Sequence, residues 1–88
     1  MNRWETSDLR LATFLRAKGY RMIGATKKDR VVVFGFEADD ALEAVVMQYH
    51  NREGSVEPLN YLAIMGELRD LIRQVDRENG MVRGNHGA

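Results

Sequence analysis

Residues 31–36, Val31-Val32-Val33-Phe34-Gly35-Phe36, decide the fold of this chain of 88 residues. They are β-branched or aromatic almost throughout, which is typical of a strand, and we predict a strand over residues 30–37. Since the run is apolar on both faces, both faces of this strand should be covered. The polar segment 27–30 and the mixed run before it predict a partner strand over residues 20–26, joined by a hairpin.

Helical spacing on both sides of the hairpin predicts three helices, over residues 7–18, 40–51 and 58–78. Thr6 and Ser7 are N-cap residues for the first helix, with Trp4 folding back onto its start. Asp40 suggests a capping box for the second helix, and Pro58 suits the first position of the third. The predicted fold class is therefore α+β, in the order α-β-β-α-α.

The two most apolar features of the chain could each serve self-association. The second strand presents an edge that could pair with a second copy into a four-stranded sheet. The third helix carries a heptad seam of apolar residues, which either meets its twin or, the alternative we favour, packs inside the chain. We expect a homodimer, with four candidate self-association residues, namely Val31, Val33, Tyr61 and Leu68.

Composition limits the class of protein. With no cysteine, the chain has neither disulfides nor thiolate metal sites. The length predicts a single domain over residues 1–80, and the glycine-rich stretch 81–88 predicts a mobile tail. Because the start has no apolar leader and no run approaches the ~20 residues that span a bilayer, we expect a cytoplasmic protein.

The sequence offers few residues with catalytic potential. His50 ends the second predicted helix, where its charge suits the helix dipole, and His86 lies in the predicted tail. Neither of the serines, Ser7 and Ser55, stands in a nucleophile elbow, and no glycine-rich phosphate loop is present. We therefore expect no catalytic residue, no metal and no cofactor, and an enzyme is the least supported class.

The net charge of zero hides a strong polarisation along the chain. Residues 1–30 hold eight cations and three acids, whereas residues 31–67 hold one cation and seven acids. The first third could form a basic surface for nucleic acid or an acidic partner, because arginine suits phosphate contacts. Its candidate contact residues are Arg10, Arg16, Arg21, Lys27, Lys28 and Arg30. Alternatively, the two regions neutralise one another within the fold or between copies.

A set of caps, glycine stops and core positions runs along residues 6–73. The motifs are Thr6-Ser7-Asp8-Leu9, Phe14-Leu15, Lys18-Gly19-Tyr20, Phe34-Gly35-Phe36-Glu37, Tyr49, Asn51, Val56, Pro58, Leu68-Arg69 and Leu71. In these motifs the chain resembles a small domain of unknown function found in bacterial and phage genomes. The resemblance implies a phage or mobile-element origin and brings no catalytic residue.

Three functions therefore remain as expectations. The first is a non-enzymatic module that acts by protein–protein contact, as an inhibitor, an adaptor or an assembly component, by analogy with small phage proteins. The second is a nucleic-acid-binding accessory protein that uses the basic first third. The third is a small enzyme. We expect another protein, including a second copy of the chain, as partner and no contact with a membrane.

Overall fold

The computed structural model describes residues 2–77, so the predicted tail 81–88 and the last predicted helical residue, 78, lie outside the described part. The chain is α+β, with a three-stranded antiparallel sheet and three helices. The elements in chain order are β1 (Asn2–Thr6), α1 (Leu9–Ala17), β2 (Met22–Lys28), β3 (Val31–Ala38), α2 (Leu42–His50) and α3 (Pro58–Arg77).

The first strand, β1, is absent from the sequence-based prediction, which has Trp4 folding back onto the first helix. β1 instead pairs antiparallel with β3, and Trp4 lies opposite Phe36. Trp4 packs against the core, while Arg3 and Glu5 beside it are exposed. A strand of five residues with one apolar side chain is too short and too polar to show a clear period of two.

The order of the strands is β1-β3-β2, so β3 is the central strand. The prediction that this strand presents a free edge to a second copy is therefore wrong, because β1 and β2 pair along its two edges. A four-stranded sheet built by pairing β3 with a second copy is not available to this fold.

The hairpin between β2 and β3 turns on two residues, Asp29 and Arg30, with φ angles of 49° and 72°. Two central residues with positive φ define a type I′ turn, whose twist suits adjacent strands. β2 begins and ends two residues later than predicted, because Lys28 still pairs with Val31. The register shifts between Met22 and Gly24, which places a bulge in β2 beside this glycine.

The core lies between the helices and one face of the sheet. From β3 it takes Val32, Phe34 and Phe36, each buried, as the alternation of side chains requires. The helices contribute further buried residues, among them Leu11, Leu15, Leu68 and Val75. The opposite face of the sheet carries Val31, Val33, Gly35 and Glu37 from β3, and we call it the open face.

All three helices begin close to their predicted starts. Pro58 is the first residue of α3, as predicted, whereas the starts of α1 and α2 are not capped by the predicted residues. Asp8 caps α1, where its side chain accepts hydrogen bonds from the N–H groups of Arg10 and Leu11. The predicted capping box at Asp40 does not form; Asp39 accepts from the N–H of Ala41 instead, at 3.0 Å. These acidic side chains satisfy N–H groups that have no partner within a helix.

The heptad seam of α3 faces inward, as the favoured alternative predicts. Leu68 is only 2% exposed and Val75 is fully buried. Tyr61 is half-buried, and its hydroxyl donates to the carbonyl of Arg10 at 3.4 Å. None of the helices within residues 2–77 combines the length and apolar character needed to cross a bilayer.

Candidate protein-binding surfaces

The predicted basic surface is divided in the folded chain. Lys27 and Lys28 are neighbours on β2, so their side chains leave opposite faces of the sheet. The ammonium of Lys27 lies 3.0 Å from Asp76 on α3, and that of Lys28 lies 3.1 Å from Glu5 on β1. Both lysines are therefore neutralised within the chain, by acids from the first and last thirds rather than from the acidic middle.

The predicted arginines are equally dispersed. Arg10 lies exposed on α1 beside Arg69 of α3, whereas Arg21 lines a separate shallow cleft with Glu37 and Asp39. Arg16 is half-buried, and its Nε has no hydrogen-bond partner among the described residues. Arg30 lies in the hairpin turn. The structure does not bring the six predicted basic residues into one surface.

A chain of ion pairs crosses the open face of the sheet. Glu5 accepts from Arg3 at 2.8 Å and from Lys28 at 3.1 Å, so the three residues connect β1 to β2 across β3. The hydrogen bond from Lys28, followed by that from Arg3, lowers the pKa of the Glu5 carboxyl. The Arg3 guanidinium lies directly over Gly35, where an added Cβ would lie 2.6 Å from its Nη2. These side chains cover part of the open face, on which Val31 is 45% exposed.

Two acidic side chains, Asp39 and Glu57, stabilise the fold through the hydrogen bonds that they accept. Asp39 accepts from the Tyr20 hydroxyl at 2.9 Å in addition to the Ala41 N–H. Partial burial, and then this hydrogen bond, raise the pKa of Tyr20. The Glu57 carboxylate accepts from the N–H groups of Leu59 and Asn60 at the start of α3. Glu57 thereby caps α3, and Asp39 stabilises the turn that leads into α2.

His50 lies in the last turn of α2 and is exposed, with its ring 5.5 Å from that of Tyr49 in an edge-on contact. Within residues 2–77, no three histidine, cysteine, aspartate or glutamate side chains lie close enough to hold a metal ion. His86 lies outside the described residues.

The predicted self-association residues belong to three different environments. Val31 and Val33 lie on the open face, Tyr61 is half-buried beside α1, and Leu68 is inside the core. Leu68 is therefore wrong as a surface contact residue of this fold, because the core already occupies its side chain. The four residues do not form one surface.

An exposed apolar stripe on α3 was missed in the sequence. At 100° per residue, Leu59 lies directly opposite the buried Leu68, and Gly66 lies directly opposite the buried Val75. Leu59 is 74% and Leu62 is 63% exposed, the highest values among the large apolar residues of the described part. We call Leu59, Leu62, Ala63 and Gly66 the α3 stripe. Their spacing of i, i+3, i+4 and i+7 is a second helical period, which the stronger inward seam obscured.

Gly66 has no evident role within the chain. A Cβ at this position would meet no atom of residues 2–77 within 4 Å, apart from the backbone of its own helical turn, and its φ is not positive. A glycine inside a helix costs about 1 kcal/mol relative to alanine. The internal packing of the fold does not require this cost.

Comparison with known proteins places the chain in a family without assigning a function. Neither the curated proteins nor the solved structures contain a match to it. One family model covers residues 1–74, a span that includes all the strands, α1, α2 and most of α3. The sequence resemblance to a small domain of unknown function is thus confirmed, and the chain belongs to the family described as Domain of unknown function (DUF5659).

Proposed function

We propose that the protein is a non-enzymatic binding module that acts by protein–protein contact through the α3 stripe. The observation that carries the proposal is the exposure of Leu59 and Leu62 on the side of α3 that faces away from the core. Leaving two neighbouring leucines in water forgoes roughly 1.5–3 kcal/mol for each side chain that a partner would bury. Contiguous apolar residues of this kind mark contact sites more often than isolated ones do.

The dispersal of charge supports a protein partner over nucleic acid. Nucleic-acid binding draws on several cations that neutralise phosphates together. Here Lys27 and Lys28 are paired with acids on opposite faces of the sheet. The phage or mobile-element origin implied by the sequence resemblance accords with a role as inhibitor, adaptor or assembly component.

Site-specific photocross-linking in cells tests the proposal. A photoreactive residue replaces Ala63 in the α3 stripe or, as the control, Val31 on the open face. We expect polypeptide adducts from position 63, a much lower yield from position 31, and loss of the position-63 adducts when Leu59 and Leu62 are both changed to serine. Adducts with nucleic acid alone, or equal polypeptide yields at the two positions, would contradict the proposal.

A further inference from the structure

We propose that the partner of the α3 stripe is a second copy of this chain, with the two α3 helices packed antiparallel. The inference rests on the proposed function, because it takes the stripe as the contact surface. Within the stripe, two large residues are followed by two small ones, in the order Leu59, Leu62, Ala63 and Gly66.

This order is self-complementary about one two-fold axis. An axis midway between positions 62 and 63 places Leu59 against Gly66 of the second copy, and Leu62 against its Ala63. Each leucine then meets a small residue, so the two helices can approach closely and bury all four leucine side chains. A two-fold contact of this kind uses the same surface on both copies and closes without further growth.

The exposed glycine supports close approach. Among residues 2–77, an added Cβ at Gly66 would meet no atom within 4 Å outside its own helical turn. The proposed axis places the second copy's Leu59 in this open space. Small residues at a helix contact let the two backbones come together. The pairing therefore supplies a reason for a glycine that the isolated chain does not require.

The distribution of charge favours antiparallel packing of the two α3 helices and a second copy of the chain as the partner. A parallel pair would align Arg69, Arg73 and Arg77 with their own copies. The antiparallel pair brings residues 68–77, with three arginines and two aspartates, toward residues 51–57 of the second copy, with two glutamates and one arginine. A segment of net charge +1 thus faces a segment of net charge −1. With a net charge of zero, the two copies experience no overall repulsion.

The extent of the stripe sets the strength of the contact. Residues 58–67 span about 15 Å of helix, so the buried area lies below the roughly 1,200 Å² of a standard stable interface. The dimer should therefore be weak, with monomer and dimer exchanging rapidly as concentration changes.

Sedimentation equilibrium at concentrations up to about 1 mM tests the inference on the full chain. We expect reversible dimerisation that Leu59→Ala weakens at least tenfold and that Val31→Ala, the control on the open face, leaves unchanged. Gly66→Ala should raise the thermal unfolding midpoint of the protomer and yet weaken the dimer, because its new methyl group obstructs the second copy's Leu59. Misfolding could not produce that pair of effects.

Cysteine cross-linking tests the orientation, since the chain has no native cysteine. In the antiparallel pair, Ala63→Cys lies beside its own copy and should oxidise to a covalent dimer, whereas Asp70→Cys on the same helix face should not. Covalent dimers from both variants would indicate parallel helices and overturn the inference. A monomer at every concentration, with position 63 still cross-linking to a different polypeptide, would also overturn it and leave the proposed function standing.

Discussion

At the scale of single residues, the hairpin turn carries a backbone strain that its side chains do not relieve. Asp29 and Arg30 both hold positive φ angles, a conformation that most side chains adopt at a cost. Type I′ turns favour glycine at the second of these positions, where Arg30 stands. The turn is therefore held by the pairing of β2 and β3 rather than by its own sequence.

Replacing Arg30 with glycine should stabilise the protein. Glycine relieves the strain energy of the turn in the folded protein, and this relief exceeds the cost of the conformational entropy that glycine adds to the unfolded chain. We therefore expect the free energy of unfolding to rise by about 0.5–1 kcal/mol. Urea unfolding measures the change. The matched control is Lys18→Gly, because Lys18 holds a φ of −82° and should gain nothing. A loss of stability in Arg30→Gly, or an equal gain in Lys18→Gly, would show that the turn is not strained.

Glu5 provides a residue-scale test of the ion pairs across the open face. Lys28 and Arg3 lower its pKa in the folded protein, so its stabilising contribution exists above the unfolded pKa and is lost as pH falls through the folded pKa. Lys28→Ala should raise the Glu5 pKa toward its ordinary value, as followed by carboxyl carbon NMR during an acid titration. Lys27→Ala, whose ion pair lies on the other face with Asp76, should leave it unchanged. An unshifted pKa in Lys28→Ala would mean that the pair does not form in solution.

At the scale of elements, the loop between α2 and α3 packs tightly on α1. A Cβ at Gly54 would lie 2.5 Å from the Phe14 ring, which is buried and lies 5.4 Å from the Tyr49 ring. The Phe14 ring cannot move away without disturbing the core. The absence of a side chain at Gly54 therefore allows the loop to lie this close to α1.

Gly54→Ala should therefore destabilise the protein by about 1–3 kcal/mol, the usual cost of overpacking a core. Thermal or urea unfolding detects a loss of this size. Gly24→Ala is the matched control, because a Cβ at Gly24 would meet no atom within 4 Å in the described part of the chain, its sequence neighbours apart. If the two variants were equally stable, the contact between the loop and Phe14 would be looser than the structure indicates.

The elements differ in how far the sequence predicts them. The run at residues 31–36 predicts β3 because its apolar residues are dense, although Val31 and Val33 lie on the open face rather than in a second core. β1 escapes prediction because Arg3 and Glu5 face outward and leave Trp4 as its single apolar residue. Its pairing with β3 joins parts of the chain that are distant in sequence, and local periodicity does not predict such a pairing.

The candidate surface was equally hard to predict. Leu59 and Leu62 share α3 with a stronger apolar seam, and only the packing shows which face the core uses. Local spacing predicts that the seam packs inside the chain, but it does not show that a second stripe remains exposed. The pairing of Lys27 and Lys28 was likewise out of reach of local spacing, because their partners, Asp76 and Glu5, lie far away in the sequence.

At the scale of the whole molecule, residues 2–77 pair two of their lysines internally and leave an apolar stripe outside. Asp8 and Glu57 cap helices, while Glu5 and Asp76 pair with lysines. Within residues 2–77, the predicted basic residues therefore do not form one surface. The largest apolar exposure lies instead on the outer side of α3. Contact with another protein, and in our proposal with a second copy, follows from that distribution.

The central claim is that two copies of the chain meet through the α3 stripe, and a dilution series of amide NMR spectra tests it most directly. Residues 58–67 should change chemical shift progressively with protein concentration, while Val31 and Val33 on the open face stay constant. Shifts centred on Val31 and Val33, or spectra that do not change across the whole series, would contradict the claim.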